Sequence, residues 1–194
     1  MSSKRLFLQS LVGLGLMPLA GAIRPAAAAS SHAAALPNPV LLTQHNKPVR
    51  FYDDCIKDRI VILNMMYTSC AGICPPNTAN LKAVRDALGD RVGRDIFIYS
   101  LTLQPERDRP RDLLEYANRY KTGDGWTFLT GKRADMELVR RRMGFFDSDP
   151  VADRDPARHS GVLRIGHDRL DRWFMMPALS TVESIVYEVR NLPA

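Results

Sequence analysis

Two cysteines with three residues between them, Cys70 and Cys74, sit in the stretch YTSCAGICPP, directly after an apolar run. Thiols this close can pair as a disulfide, exchange electrons with another dithiol, or hold a soft metal ion. Cys-x-x-Cys is the spacing that reads as a thioredoxin-like redox motif, and this pair is one residue longer. The longer loop lets both sulfurs converge on one ion and leaves space for a third donor. Two soft sulfurs favour Cu(I), and an added imidazole suits either copper oxidation state, whereas a structural zinc site would want four protein ligands. A stapling disulfide would close a very short loop and contribute little chain-entropy stabilisation.

A third donor must come from elsewhere, and the chain has four histidines. His32 precedes the domain and His45 precedes the first strand, so both read as solvated. His167 falls in a hairpin turn, where exposure is the default. His159, in Arg158-His159-Ser160-Gly161, ends a charged loop just before a strand, at an edge that can approach the cysteines. Met65, Met66, Met175 and Met176 carry soft thioethers, but methionine in strands is usually core filler. Cys55, after Asp53 and Asp54 in an expected turn, reads as a partly buried bystander.

The elements that must position these groups alternate. Val49 to Tyr52 reads as a short strand, and Ile60 to Tyr67 is a continuous apolar run, as expected for a strand buried on both faces. Pro75 and Pro76 suit a helix start; Leu81, Val84 and Leu88 recur at helical spacing and Gly89 can stop the helix. Asp95 to Leu103 is a second strand, and Leu113 to Ala117 marks the next helix. A third strand, Trp126 to Leu129, precedes a helix over Lys132 to Met143. Asp147 to Arg158 reads as an exposed loop. A hairpin around Gly166 to Arg169 and a closing helix capped by Thr181 complete the chain. The class is α/β: a thioredoxin-like three-layer sandwich with a central mixed sheet and flanking helices. A helix starting near Pro75 would also favour thiolate at the cysteines, because its first N–H groups attract negative charge.

At 194 residues the chain suits one domain, with no internal repeat. Lys4 and Arg5, the apolar Leu11 to Ala22 and the small residues Ala26 to Ala29 predict an export signal over 1–29, followed by a flexible linker over 30–39 and the domain over 40–194. Its opening also resembles a twin-arginine leader with Lys4 in place of the first arginine. The apolar run is shorter than the roughly 20 residues that span a bilayer, which disfavours an anchor retained by an uncleaved leader. The net charge of +6 falls to +3 once Lys4, Arg5 and Arg24 are removed, a weak argument for nucleic acid. In an oxidising compartment an unprotected dithiol becomes a disulfide unless it is metallated or kept reduced. There is no Gly-rich phosphate loop and no nucleophile-elbow serine. The acidic pairs Asp53–Asp54 and Glu106–Asp108 read as solvated turns.

Several segments together resemble the Sco/SenC copper proteins. YTSCAGICP is similar to that family's Cys-x-x-x-Cys-Pro signature, LTLQPERDRP to its strand and Pro-Glu-Arg-Asp-x-Pro loop, and WTFLTG to its Trp-x-x-Leu-x-Gly stretch. Arg158-His159-Ser160-Gly161 resembles its Asp-His-Ser segment. The resemblance implies a thioredoxin-like fold in which Cys70, Cys74 and His159 bind copper. It also implies an exported, periplasmic metallochaperone that delivers copper to, or reduces the thiols of, an oxidase copper-site subunit or another copper or thiol client near the membrane. Cys70 and Cys74 would then be the disulfide-forming pair and the redox candidates. Ala71 stands where a proline often follows the first cysteine, Gln104 where an acid is usual, and Arg158 where an acid precedes the histidine. The rival readings are a periplasmic thiol–disulfide reductase, with copper incidental, and a stapled interaction domain.

Overall fold

The computed structural model describes residues 36–155 and 161–193. The predicted leader, His32, Arg158 and His159 lie outside them. Seven strands form one mixed sheet: β1 (Val40–Thr43), β2 (Pro48–Arg50), β3 (Ile60–Met66), β4 (Ile96–Thr102), β5 (Trp126–Thr130), β6 (Val162–His167) and β7 (Arg172–Pro177). Their order is β2-β1-β5-β4-β3-β6-β7. The central β5-β4-β3 ladders are parallel, with Ile60 opposite Ile96 and Met66 opposite Thr102, and the outer pairings are antiparallel.

All seven residues of β3 are buried, as its unbroken apolar run requires. Alternation sends Ile60, Ile62 and Met66 to one face and Val61, Leu63 and Met65 to the other. On the first face pack α1 (Cys74–Leu88), α2 (Pro110–Tyr120) and α4 (Val182–Arg190) through Leu81, Val84, Leu113, Tyr116, Ile185 and Val189. On the second, α3 (Arg133–Arg142) packs through Met136 and Val139, beside Phe51 and Ile56. Each fully buried aliphatic side chain of this kind contributes roughly 1.5–3 kcal/mol relative to exposure. The result is the three-layer α/β sandwich expected from the alternation of elements. No helix among the described residues is long and apolar enough to cross a membrane.

Local signals hold at several helix ends. Gly89 terminates α1 at φ +61°, and its N–H reaches the Arg85 and Asp86 carbonyls. The Thr181 side chain caps α4 by accepting from the Ser184 N–H. Four expectations are corrected. The strand expected to run to Tyr52 ends at Arg50, and Phe51–Ile56 forms a π-helical segment. Its Asp53 and Asp54 are not merely solvated: Asp53 accepts from the Asn38 amide and Asp54 from the Arg50 N–H. His45 lies in the turn between β1 and β2, a pairing that the sequence pattern did not disclose. His167 is the last residue of β6 and is buried opposite Ile60, because the hairpin turns later, through Asp168–Leu170 and a left-handed Asp171.

The loop after α3 is likewise less exposed than expected. Asp153 is buried and forms a bidentate pair with the Arg140 guanidinium at 2.7 and 2.8 Å, which ties this loop onto α3. The arginine repeat in α3 conceals this, since one of its three consecutive arginines faces inward.

Candidate functional site

β3 ends at Met66 on the carboxyl edge of the sheet, and the chain turns through Tyr67–Ile73 before Cys74 opens α1. The Cys70 N–H donates to the Tyr67 carbonyl at 3.1 Å, closing the turn. The first helical N–H, that of Cys74, donates to Cys70 Sγ at 3.3 Å. A tight turn therefore folds the first cysteine back over the start of the helix that carries the second. Cys70 is 8 % exposed and Cys74 1 % exposed, so the pair sits just under the surface.

Burial alone would raise the Cys70 thiol pKa. Hydrogen bonds outweigh it: those from the Cys74 thiol and N–H, the Tyr67 hydroxyl and the Gly72 N–H bring the Cys70 value below that of an ordinary thiol. The reciprocal effect appears on Tyr67, whose pKa is pushed up to about 12, first by its hydrogen bond to Cys70 and then by burial. The local field thus favours a sulfur anion at position 70. No disulfide joins Cys55, Cys70 or Cys74 among the described residues.

A buried carboxylate holds the turn from behind. Asp108, only 1 % exposed, accepts from the Thr68 N–H at 3.1 Å, from the Thr68 hydroxyl at 2.5 Å and from the Thr102 hydroxyl at 2.5 Å. It joins the cysteine loop to the end of β4, which corrects its reading as a solvated turn residue. Its neighbour Glu106 pairs at the surface with Arg133. Gln104, at the same edge, accepts from the Ser69 hydroxyl at 3.3 Å. The sequence shows Asp108 only as one charge among many in a polar loop; nothing there marks it as the residue that turns inward.

The remaining candidates separate by face and end. Met66 shares a core with both cysteines, while Met65 is buried on the opposite face. Met175 is partly exposed on β7, and Met176 packs against the first-face core. Cys55 is buried on the second face, and burial pushes its thiol up to about 12. It therefore behaves as an inert core residue, as its bystander reading anticipated. Among the described residues no group of three or more His, Cys, Asp or Glu side chains is arranged to hold a metal.

The described residues on either side of the stretch that contains His159 lie near the cysteine loop. The negative charge of Asp155 contributes to the raised pKa of Tyr67. At Gly161 a Cβ would lie 3.3 Å from the Ile73 side chain, one residue before Cys74. The Gly161 carbonyl is fixed by the Ala178 N–H at 2.9 Å.

The SCO1/SenC family model matches residues 29–168, which include the cysteine turn. The chain belongs to the SCO1/SenC family. A SCO1 protein homolog of Bacillus subtilis is 33% identical over 79 residues, covering 40% of each chain. The chain thus spans 40% of the length of that curated relative. Among solved structures, Arabidopsis thaliana ScoI with copper bound superposes with a TM-score of 0.63 at 21% identity, covering 80% of this chain and 95% of that one. BsSco, described with a disulfide switch and as a member of the Sco family of cytochrome c oxidase assembly proteins, gives a TM-score of 0.64 at 22% identity over 80% of this chain and 91% of that one. At these identities the superpositions speak for the shared thioredoxin-like fold.

Proposed function

We propose that this SCO1/SenC chain is an exported copper carrier that serves assembly of a respiratory oxidase copper centre, holding its cargo between Cys70, Cys74 and His159. The observation that carries the reading is the turn that brings Cys70 Sγ onto the N–H of Cys74, so that two sulfurs share one end of α1. The donor chemistry fits the cargo: two sulfurs with soft character, just below the surface, match Cu(I). Tyr67 and the first N–H of α1 hold the sulfur of Cys70, and Asp108 holds the turn. His159 is two residues from Gly161, a span of at most about 7 Å of extended chain. Since Gly161 abuts Ile73, that reach supports the imidazole as third donor. The copper-bound Arabidopsis relative supports the same reading. Export rests on the leader pattern of residues 1–29, and the mature N-terminus read by mass spectrometry tests it.

The test is titration of the reduced protein with Cu(I) against a competing chelator. One tightly held equivalent is expected, lost in Cys70→Ser and Cys74→Ser and weakened in His159→Ala. Undiminished affinity in His159→Ala would remove the imidazole from the site.

A second reading is favoured by the activation of Cys70 beside a second thiol. The Cys70 thiolate would attack a client disulfide, releasing one client thiolate and forming a mixed disulfide. Cys74 would then displace the second client sulfur, leaving a Cys70–Cys74 disulfide and a client reduced by two electrons. This reading predicts reduction of a disulfide substrate that persists in His159→Ala and stops in Cys74→Ser at the mixed disulfide.

A further inference from the structure

On the face of the sheet opposite the cysteines, a cavity of about 270 Å³ opens between α3 and the carboxyl ends of β3 and β4. Met65, Thr102 and Met136 contribute to its lining. Its walls carry four guanidinium groups, from Arg133, Arg140, Arg141 and Arg154, against two carboxylates, Glu137 and Asp153. Neither the copper reading nor the reductase reading uses these residues.

The four arginines divide by what they already hold. Arg140 is buried and doubly bidentate: it donates to Glu137 at 2.8 Å through Nε and Nη2, and to Asp153 at 2.7 and 2.8 Å through Nη1 and Nη2. It forms the fixed back of the site. Arg141 donates through Nε to Glu137 at 2.6 Å and through Nη2 to Asp153 at 2.7 Å, which leaves Nη1 unused among the described residues. Arg133 donates to Glu106 through Nε and Nη2 and also keeps Nη1 unused among the described residues. The Arg154 side chain has no hydrogen-bond or ion-pair partner among the described residues, so all five of its N–H donors are available. The two lining carboxylates thus orient Arg140 and Arg141 without exhausting the donors around the cavity. Guanidinium is weakly hydrated and presents its donors in a planar fork suited to carboxylate and phosphate. Donors positioned in advance lose less side-chain entropy when a ligand arrives.

From these observations we propose that the cavity between α3 and the ends of β3 and β4 binds a small multivalent oxyanion, a polycarboxylate or a phosphate, through the unused donors of Arg133, Arg141 and Arg154. The size of the cavity suits a compact anion. The site is independent of the dithiol and of copper.

The test uses the reduced full-length chain and backbone-amide NMR, with citrate and inorganic phosphate titrated separately at an ionic strength held constant with chloride. Saturable shifts confined to residues 133–141 and 153–154 are expected, and the tighter of the two titrants identifies the anion class. The Arg133→Gln/Arg154→Gln double variant removes two exposed charges and spares the Arg140–Asp153 pair, so it keeps the fold. Its affinity should fall at least about tenfold. Absence of saturation with both anions, shifts spread over the whole basic surface, or unchanged affinity in the double variant would each overturn the site.

Discussion

Replacing Asp108 with alanine tests whether a buried carboxylate organises the cysteine turn. Three hydrogen bonds end on this side chain, two of them at 2.5 Å, and it is 1 % exposed. Hydrogen bonds to a charged group are worth about 1.5–3 kcal/mol each, so the gross loss is roughly 4–9 kcal/mol. Removing the carboxylate also relieves its own desolvation penalty, which is several kcal/mol. The net expectation is destabilisation of about 2–4 kcal/mol, with the Thr68 and Thr102 hydroxyls and the Thr68 N–H left to find new partners. Asp108→Asn keeps an acceptor and the side-chain size, and should lose only about half as much. Urea unfolding measures the global term. Alkylation of the native protein measures the local one: Cys70 and Cys74 should label faster in Asp108→Ala, while Cys55, on the other face, stays protected. A loss below about 0.5 kcal/mol, or labelling of all three cysteines in step, would refute Asp108 as the clamp of this turn.

Three further outcomes follow from the same geometry. In the wild-type protein at neutral pH, iodoacetamide should modify Cys70 well before Cys55, whose thiol is buried and pushed up to about 12; comparable rates read by peptide mass spectrometry would contradict the burial. Stability should fall in two stages on acidification. Burial foremost, then Arg169, lowers the pKa of His167 against the opposing charges of Asp168 and Asp58, so the unfolded chain takes up this proton first and stability declines below about pH 6.5. The hydrogen bond from Arg140 chiefly holds Asp153 below the usual carboxylate range, so its contribution is complete above about pH 4 and is lost below it. His167→Gln should abolish the first stage and leave the second; a wild-type slope between pH 7 and 5 in that variant would show that His167 is not the titrating group. Gly125 adopts φ +78°, and a Cβ there would come within 2.5 Å of the Gly93 nitrogen, so Gly125→Ala should cost more than about 1 kcal/mol in thermal unfolding.

Residue order and periodicity alone set the strand–helix alternation, the two-faced burial of β3, the helix start at the two prolines and the caps at Gly89 and Thr181. These are local signals, carried by side-chain periodicity and by residues with unusual backbone preferences. The cysteine pair was legible for the same reason, because four residues of separation across a strand–helix junction leave few ways to fold. Other features are settled by contacts between residues far apart in the chain. Asp108 and Thr68 are 40 residues apart, and Asp53 and Asp108 look alike in a sequence, yet only Asp108 turns inward to satisfy a turn and a strand end. Arg140 is one of three consecutive arginines, and only the rotation of α3 against the sheet selects it to bury Asp153. His167 became a core residue because antiparallel pairing with β3 carries β6 through to Ile60, one strand residue beyond the hairpin suggested by Gly166. Local pattern decides which elements form. Which polar side chains are buried depends on whether a distant partner arrives to compensate their desolvation, and only the tertiary structure supplies that partner.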